Sequence, residues 1–368
     1  MKTIVVKIGT SLLTGPKGFD GQVLEEIVKD LCLLKSERGL NVVVVSSGAI
    51  GCGMTTLGLK ERPNLLPLKQ AAAAVGQANL MHYYETLFRT YGDGIRSAQV
   101  LLSAADLDNR ETYLNIRNTL HTLFALKNVI PIVNENDSVA IEELKFGDND
   151  TLAARVAAKI GADLLIILSN VDGLFDIDPH QNSEASLIPE VEKITPELEA
   201  LAGDTGQQTS VGGMVTKLMA ARIACAAQVR TIIANGRRPN IIRDTLKGQG
   251  VGTTFYSSTE TLSQRKRWIA FGRSSRGTIY IDDGAKNALL RQGKSLLAAG
   301  ITKVEGTFRM GDSVRITDAQ KHDIARGLVN YSSEDLHRIQ GCKSSEIQDI
   351  LGRKDYDEIV HRNNMVLI

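Results

Sequence analysis

Four cysteines, six histidines and 5% aromatic residues in a chain of 368 leave little material for several common chemistries. Cys32, Cys52, Cys225 and Cys342 are widely spaced and form no C-x-x-C pair, which argues against a zinc site or a disulfide framework and reads as reduced thiols. The histidines are scattered, and only His180 lies near a motif, in what reads as a surface loop. No run approaches the ~18 apolar residues of a membrane span. The opening MKTIVVKIGTSLL has an apolar run broken by Lys7 and does not read as a secretory signal. A net charge of +1, from 43 basic and 42 acidic residues, supplies no global field for nucleic acid or membrane. The expectation is a soluble, cytoplasmic protein whose contacts with any charged partner are local.

What is present is apolar content of 43% in a chain too long for one core, since single cores stop growing near ~250–300 residues. Short β-branched runs alternate with amphipathic stretches, a pattern of βαβ units and a largely parallel sheet. The spacing predicts strands at Thr3–Ile8, Asn41–Ser46, Val129–Val133, Asp163–Ser169 and Arg230–Ala234, with one near Ile95–Leu101. It predicts helices at Gly21–Arg38, Leu65–Tyr91, Asn109–Lys127, Thr151–Ile160 and Gly213–Gln228. The fold class is therefore α/β: an open, mostly parallel sheet sandwiched by helices over residues 1–258. Residues 259–275, with the run Arg265-Lys266-Arg267-Trp268, read as a linker. Residues 276–368, with "GTIYIDDGA" and "GDSVRITD", read as a small, mostly-β domain. From Thr259 on there are 18 basic and 14 acidic residues, too mild an excess for an electrostatic nucleic-acid footprint.

The polar residues that interrupt this pattern cluster at strand ends. In "VVKIGTSLLTG", Lys7 breaks an apolar strand, and Gly9, Thr10 and Ser11 follow at once. A lysine there needs an anionic partner, and ligands of open α/β sheets sit outside the carboxyl ends of strands, so Lys7 is a phosphate candidate. A lysine on an exposed strand face is the competing reading. "VVVVSSGAIGCGM" places Ser46, Ser47, Gly48, Gly51 and Gly53 after a second strand. Neither glycine-rich loop matches G-x-x-x-x-G-K-[ST] or a complete G-x-G-x-x-G, so plain turns compete with phosphate loops. "VIPIVNENDSVA" places Asn134, Glu135, Asn136 and Asp137 after a third strand, a short hairpin away from "KFGDNDTLAARVAA", where Asp148, Asn149 and Asp150 precede a helix. Helix capping explains one of those three, and a calcium loop is disfavoured by the missing alternation of oxygen ligands. Two such clusters at strand ends are better read as converging on one small polar ligand, with Asp137 accepting from an ammonium and Asn134 and Asn149 able to donate and accept. "LLIILSNVDGLFDIDP" adds Ser169 and Asn170 at a further strand end. "TSVGGMVTKLMAARIACAA" joins Gly212 and Gly213 to a long helix with Lys217 in its first turns, where backbone N–H groups favour phosphate. A surface lysine competes there.

Taken in order, "VVKIGTSLLTG", "VSSGAIGCGM", "KQAAAAVGQ", "VNENDSVA", "FGDNDTLAA", "SNVDGLFDIDP" and "GGMVTKLMAA" resemble the amino acid kinase family, and its glutamate-phosphorylating branch most closely. The tail resembles a PUA domain. The resemblance implies ATP and Mg²⁺ as cofactors, L-glutamate as substrate and the first step of proline synthesis. It implies Lys7 and Lys217 beside the transferring phosphoryl group, with Asp150 holding the two lysines. Ser47, Asp137 and Asn149, with Asn134 nearby, are implied to bind glutamate. Gly9, Thr10, Ser169, Asn170 and the segment Val211, Gly212, Gly213, Met214, Val215, Thr216 and Lys217 are implied to contact ATP. No protein metal ligand is assigned. Ser169-Asn170 departs from the family's usual Thr or Ser followed by Asp, and Ser210-Val211-Gly212-Gly213 from its usual Gly-Thr-Gly-Gly, both on the nucleotide side. Feedback inhibition by proline, a homo-oligomer (dimer or tetramer) and a glutamate-5-phosphate reductase partner are inherited expectations. Two rivals are an RNA-binding accessory protein acting through its PUA-like tail, and a kinase of another small acid such as aspartate or acetylglutamate.

Overall fold

The apolar runs form strands of one sheet in the computed structural model, which describes residues 2–15, 18–139, 149–177, 179, 182, 184–195, 197–199, 213–257 and 275–367. In chain order the elements that position the site are β1 (Thr3–Ile8), α1 (Gly21–Arg38), β2 (Asn41–Val45), α2 (Ala49–Leu57), α3 (Leu66–Tyr91), β3 (Arg96–Leu102), α4 (Arg110–Ala125) and β4 (Val129–Glu135). They continue with α5 (Asn149–Ile160), β5 (Leu164–Ser169), β6 (Glu190–Val191), α6 (Met214–Ala226), β7 (Arg230–Asn235) and β8 (Thr253–Phe255). The sheet runs β6-β8-β7-β5-β1-β2-β4-β3, and every pairing is parallel except β7 with β8. The chain leaves β1 toward β2 on one side and later returns to β5 on the other. The order therefore reverses at β1, the kind of place where α/β sheets open a crevice at their carboxyl ends.

Period-two alternation along β1 explains the two helical layers. Ile4, Val6 and Ile8 enter one core with Leu24 and Leu31 of α1 and Tyr84 and Phe88 of α3. Val5 enters the other with Leu152 and Val156 of α5 and Leu218 and Ala221 of α6. Each buried valine or isoleucine contributes about 1.5–3 kcal/mol, so a charge in such a run needs strong compensation. Lys7 has the parity of Val5, and its face of the sheet carries α5 and α6. Helix ends follow the sequence signals: Asp20 caps α1 by accepting from Gln22 N, and Gly39 ends it at φ 60°.

Three boundaries differ from the sequence reading in ways that bear on the site. β4 runs two residues further than predicted, because Leu101 and Leu102 of β3 pair with Asn134 and Glu135, so Asn134 lies inside the strand. α5 begins at Asn149, which puts both Asn149 and Asp150 in its first turn. Gly51 and Gly53 are helical rather than part of a phosphate loop: a Cβ on Gly53 would lie 1.8 Å from the Ala72 carbonyl oxygen, and one on Gly76 equally close to that of Ala49. Gly53 and Gly76 let α2 and α3 touch backbone to backbone, while Gly51 faces Thr14. The hairpin proposed between Asp137 and Asn149 and the linker 259–274 lie outside the described residues, as do Asp148, His180, Val211 and Gly212.

The chain divides into two compact units, Met1–Thr261 and Leu262–Ile368. The second holds β9 (Gly277–Ile281), β10 (Ile301–Gly306), β11 (Ser313–Thr317), β12 (Asp323–Leu328) and β13 (Met365–Leu367), ordered β10-β9-β11-β12-β13 around its own core of Ile279, Val314, Ile316 and Leu336. Its pairings are antiparallel except β9 with β11. Among the described residues no helix is long and apolar enough to cross a membrane.

Burial also sets the thiol chemistry. It pushes Cys32 and Cys225 up to about 11 and Cys52 up to about 12, while Cys342 is partly exposed. Titration of the folded protein with an aromatic disulfide reagent at pH 8 should therefore consume one thiol per chain, rising to four in denaturant; rapid loss of more than one in the folded state would contradict the burial of these three.

Candidate active site

Lys7 emerges near the carboxyl end of β1 only 3% exposed, paired in register with Val45 and Ile167 of the flanking strands. Its Nζ lies 2.5 Å from Oδ1 of Asp150, which is fully buried in the first turn of α5. The other carboxylate oxygen, Oδ2, lies 3.3 Å from Nζ of Lys217, 4% exposed in the first turn of α6, and accepts from Thr216 Oγ1 at 3.2 Å. One carboxylate therefore spaces two buried ammonium groups. Two buried ammonium groups this close together suit an anion beside them.

The surroundings suit a phosphate. Gly9, just past β1, donates its N–H to the Leu168 carbonyl at 3.0 Å, and a Cβ there would lie 3.1 Å from that oxygen and 3.6 Å from Lys7 Nζ. Glycine thus leaves the ammonium approachable from that side. Gly213 is the N-cap of α6 and has no side chain to cap it, and a helix start with its dipole suits an anion. Thr10 is exposed, Ser169 is buried as the last residue of β5, and Asn170 accepts from both Ser169 Oγ and Ser11 Oγ at 3.3 Å. Met214 and Thr216 are half-buried and Val215 is exposed. Arg237, past the end of β7, donates to the Ser11 carbonyl at 3.0 Å; sequence reasoning passed over it because that strand end carries no motif.

The residue next to Asp150 opens the second half of the site. Asn149 Nδ2 lies 2.6 Å from the Ser46 carbonyl, 2.9 Å from Asn134 Oδ1 and 3.1 Å from Ser47 Oγ. Two amide protons serve three acceptors, so the longest contact yields first, and the Ser47 hydroxyl is the group able to turn toward a ligand. Ser47 precedes Gly48, which enters α2 at φ 95° with no side-chain cap, leaving the N–H groups of that helix start for a carboxylate. Asp137 is half-buried and lines a cavity of about 10 Å³ with Glu135 and Gln77. Gln77 escaped the sequence reading, although it closes the motif "KQAAAAVGQ", because a glutamine within a helix carries no spacing signal. The structure thus brings Lys7, Asp150 and Lys217 together, and Ser47, Asn134 and Asn149 together, with Asp137 on the cavity beside the second group.

A mostly parallel sheet thus carries, near the end of a central strand, a buried lysine tied through one carboxylate to a second lysine at a helix start. Residues 2–235 match the family model described as "Amino acid kinase family", and residues 277–351 that of the PUA domain. The chain belongs to the amino acid kinase family. Within it, the chain belongs with the glutamate 5-kinases: that of Nostoc punctiforme is 51% identical over 371 residues, covering 100% of both chains. The glutamate 5-kinase of Synechococcus elongatus is 49% identical over 369 residues, covering 100% of this chain and 99% of its own. That of Thermoanaerobacter sp. is 47% identical over 366 residues, covering 99% and 97%.

Proposed function

We propose that the protein transfers the γ-phosphoryl group of ATP to the γ-carboxylate of L-glutamate, giving L-glutamate 5-phosphate, the first step of proline biosynthesis. The observation that carries this reading is the adjacency of Asn149 and Asp150: consecutive residues of one helical turn join an amide and hydroxyl cluster suited to an amino acid to a paired-lysine cluster suited to a phosphate. The glutamate side chain has a pKa near ~4.3, so the nucleophile is already ionised at neutral pH and needs no general base. Its difficulty is repulsion from the γ-phosphate. Lys7 and Lys217 offset that repulsion, and Asp150 fixes their separation so that little rearrangement accompanies the charge shift. Ser47, Asn149 and Asp137, with Asn134 behind them, hold the amino acid.

Among the described residues no group of three His, Cys, Asp or Glu is placed to hold a metal ion, and both oxygens of Asp150 face lysines. This donor set fits Mg²⁺ carried chiefly by the nucleotide's phosphates rather than by a protein cage. When bound, Mg²⁺ neutralises charge on those oxygens.

The same reading carries the activity on residues 1–258, with 259–275 as linker and 276–368 as an appended domain. It also carries proline as feedback inhibitor, a homo-oligomer, and the reductase that consumes the acyl phosphate as partner. Hydroxylamine trapping of the acyl phosphate tests the substrate: with ATP, glutamate should yield hydroxamate and aspartate and acetylglutamate should not. Preferential trapping from either of those acids would replace glutamate in this reading.

A second prediction concerns binding. Asn149→Ala and Asp137→Ala should each raise KM for glutamate about 10–100-fold through loss of a half-buried hydrogen-bonding partner, with kcat lowered less. Calorimetric titration showing wild-type glutamate affinity in both variants would remove these residues from the substrate site.

A further inference from the structure

From the orientation of a chain of side-chain amides, we infer that Gln77 is a positioning residue for the amino acid: its Oε1 holds the NH₂ end of Asn134, whose polarity the Glu135 N–H sets, and Asn134 in turn holds Asn149. The inference rests on the proposed glutamate phosphorylation. Its starting point is a group that can only donate, the backbone N–H of Glu135, which lies 2.9 Å from Asn134 Oδ1. That contact forces the acceptor end of Asn134 toward Glu135 and its NH₂ end the other way, where Gln77 Oε1 receives it at 2.9 Å. Gln77 must therefore present oxygen to Asn134. Asn134 Oδ1 is then an acceptor for Asn149, so Asn149 must present its NH₂ group at 2.9 Å, in agreement with the Ser46 carbonyl, which can only accept, at 2.6 Å. With its donor end so engaged, Asn149 offers Oδ1, an acceptor, to a ligand. An ammonium group is what that acceptor selects.

Gln77 acts through this chain rather than by touching the amino acid. Its one acceptor oxygen is taken by the Asn134 amide, which stands between it and Asn149. Its Nε2 is buried with no hydrogen-bond partner among the described residues. The flipped arrangement of Gln77 would point two donors at each other across the Asn134 contact. Gln77 sits on α3 one residue after Gly76, whose missing side chain lets α3 meet the Ala49 backbone at the start of α2; the same close contact carries Gln77 to the strand end. Ser46 is held from the same helix by Tyr84, whose hydroxyl lies 2.8 Å from Ser46 Oγ.

The test uses the full chain with ATP and hydroxylamine trapping, comparing glutamate with glutarate, which keeps both carboxylates and lacks the ammonium. Gln77→Met removes the acceptor at nearly constant volume, and Gln77→Glu keeps an acceptor for Asn134. Gln77→Met should raise KM for glutamate about 10–100-fold, leave kcat and the KM for ATP within about threefold, and narrow the preference for glutamate over glutarate by about tenfold or more. Gln77→Glu should stay within about threefold of wild type in that preference, and Gln77→Met should add nothing further on an Asn134→Ala background. A raised KM with unchanged preference would mark Gln77 as merely structural and overturn the inference, as would additive effects with Asn134→Ala. If Gln77→Met fails to fold, Gln77→Glu decides alone: retained preference supports the inference, and lost preference overturns it by assigning the role to Nε2. Wild-type protein that traps no hydroxamate from glutamate overturns the proposed function and this inference with it. Wild-type activity on glutamate alongside a Gln77→Met variant indistinguishable from it overturns this inference alone.

Discussion

Lys217→Ala should lower kcat about 100–1000-fold while moving KM for glutamate less than about threefold, because a fixed charge facing the transferring group matters most as charge redistributes in the transition state. The pairing geometry favours this split. Asp150 keeps Lys7 at 2.5 Å and Thr216 at 3.2 Å when Lys217 is truncated, so the carboxylate retains partners and the fold is not left with an isolated buried charge. Asn149, Asn134 and Ser47 make none of their described bonds to Lys217, so the amino-acid cluster should be intact. Steady-state kinetics with either substrate varied is the measurement. A variant whose kcat stays within threefold of wild type while its glutamate KM rises tenfold would place Lys217 on the substrate rather than on the phosphoryl group.

Asp150→Asn should be the most disruptive single change in the site, since it leaves two nearly buried ammonium groups facing a neutral amide. Removing one partner from a buried ion pair costs about 3–5 kcal/mol. For a unit of this size that corresponds to a fall in Tm of about 10 °C, accompanied by loss of activity as the lysines move apart. Anion binding distinguishes the cause. Added nucleotide or inorganic pyrophosphate should recover more of the lost Tm in Asp150→Asn than it adds to the wild type, because the anion takes over as counter-charge. A variant melting within 2 °C of wild type, or one no more responsive to anions, would show that Asp150 is not what holds the lysines.

The fold was legible because its signals are local. β-branched runs such as Val42–Val45 name their own strands, and Asp20 and Gly39 name the ends of α1. The strand-end residues of the site were legible for a related reason: a lysine, an asparagine or an aspartate in or beside an apolar run has no cheap place in a core. The tail was separable by its turn spacing. Roles were harder to read. Gly53 looked like part of a phosphate loop because glycine serves close approach to an anion and close approach to a helix equally well, and only the packing of α2 on α3 chose between them. Gln77 gave no signal, since a polar residue on a helix is ordinarily solvated and its burial here depends on where α3 lies.

By itself, then, the sequence determined the elements, their types and most of the side chains able to do chemistry, because periodicity and charge act over a few residues. The tertiary structure decided which of them meet. Lys7, Asp150 and Lys217 come from three elements far apart in the chain, and they converge because β5 returns beside β1 and lays α5 and α6 on the face where the parity of Lys7 places it. Sheet order is a non-local outcome of burying both layers at once, and no short window of residues contains it.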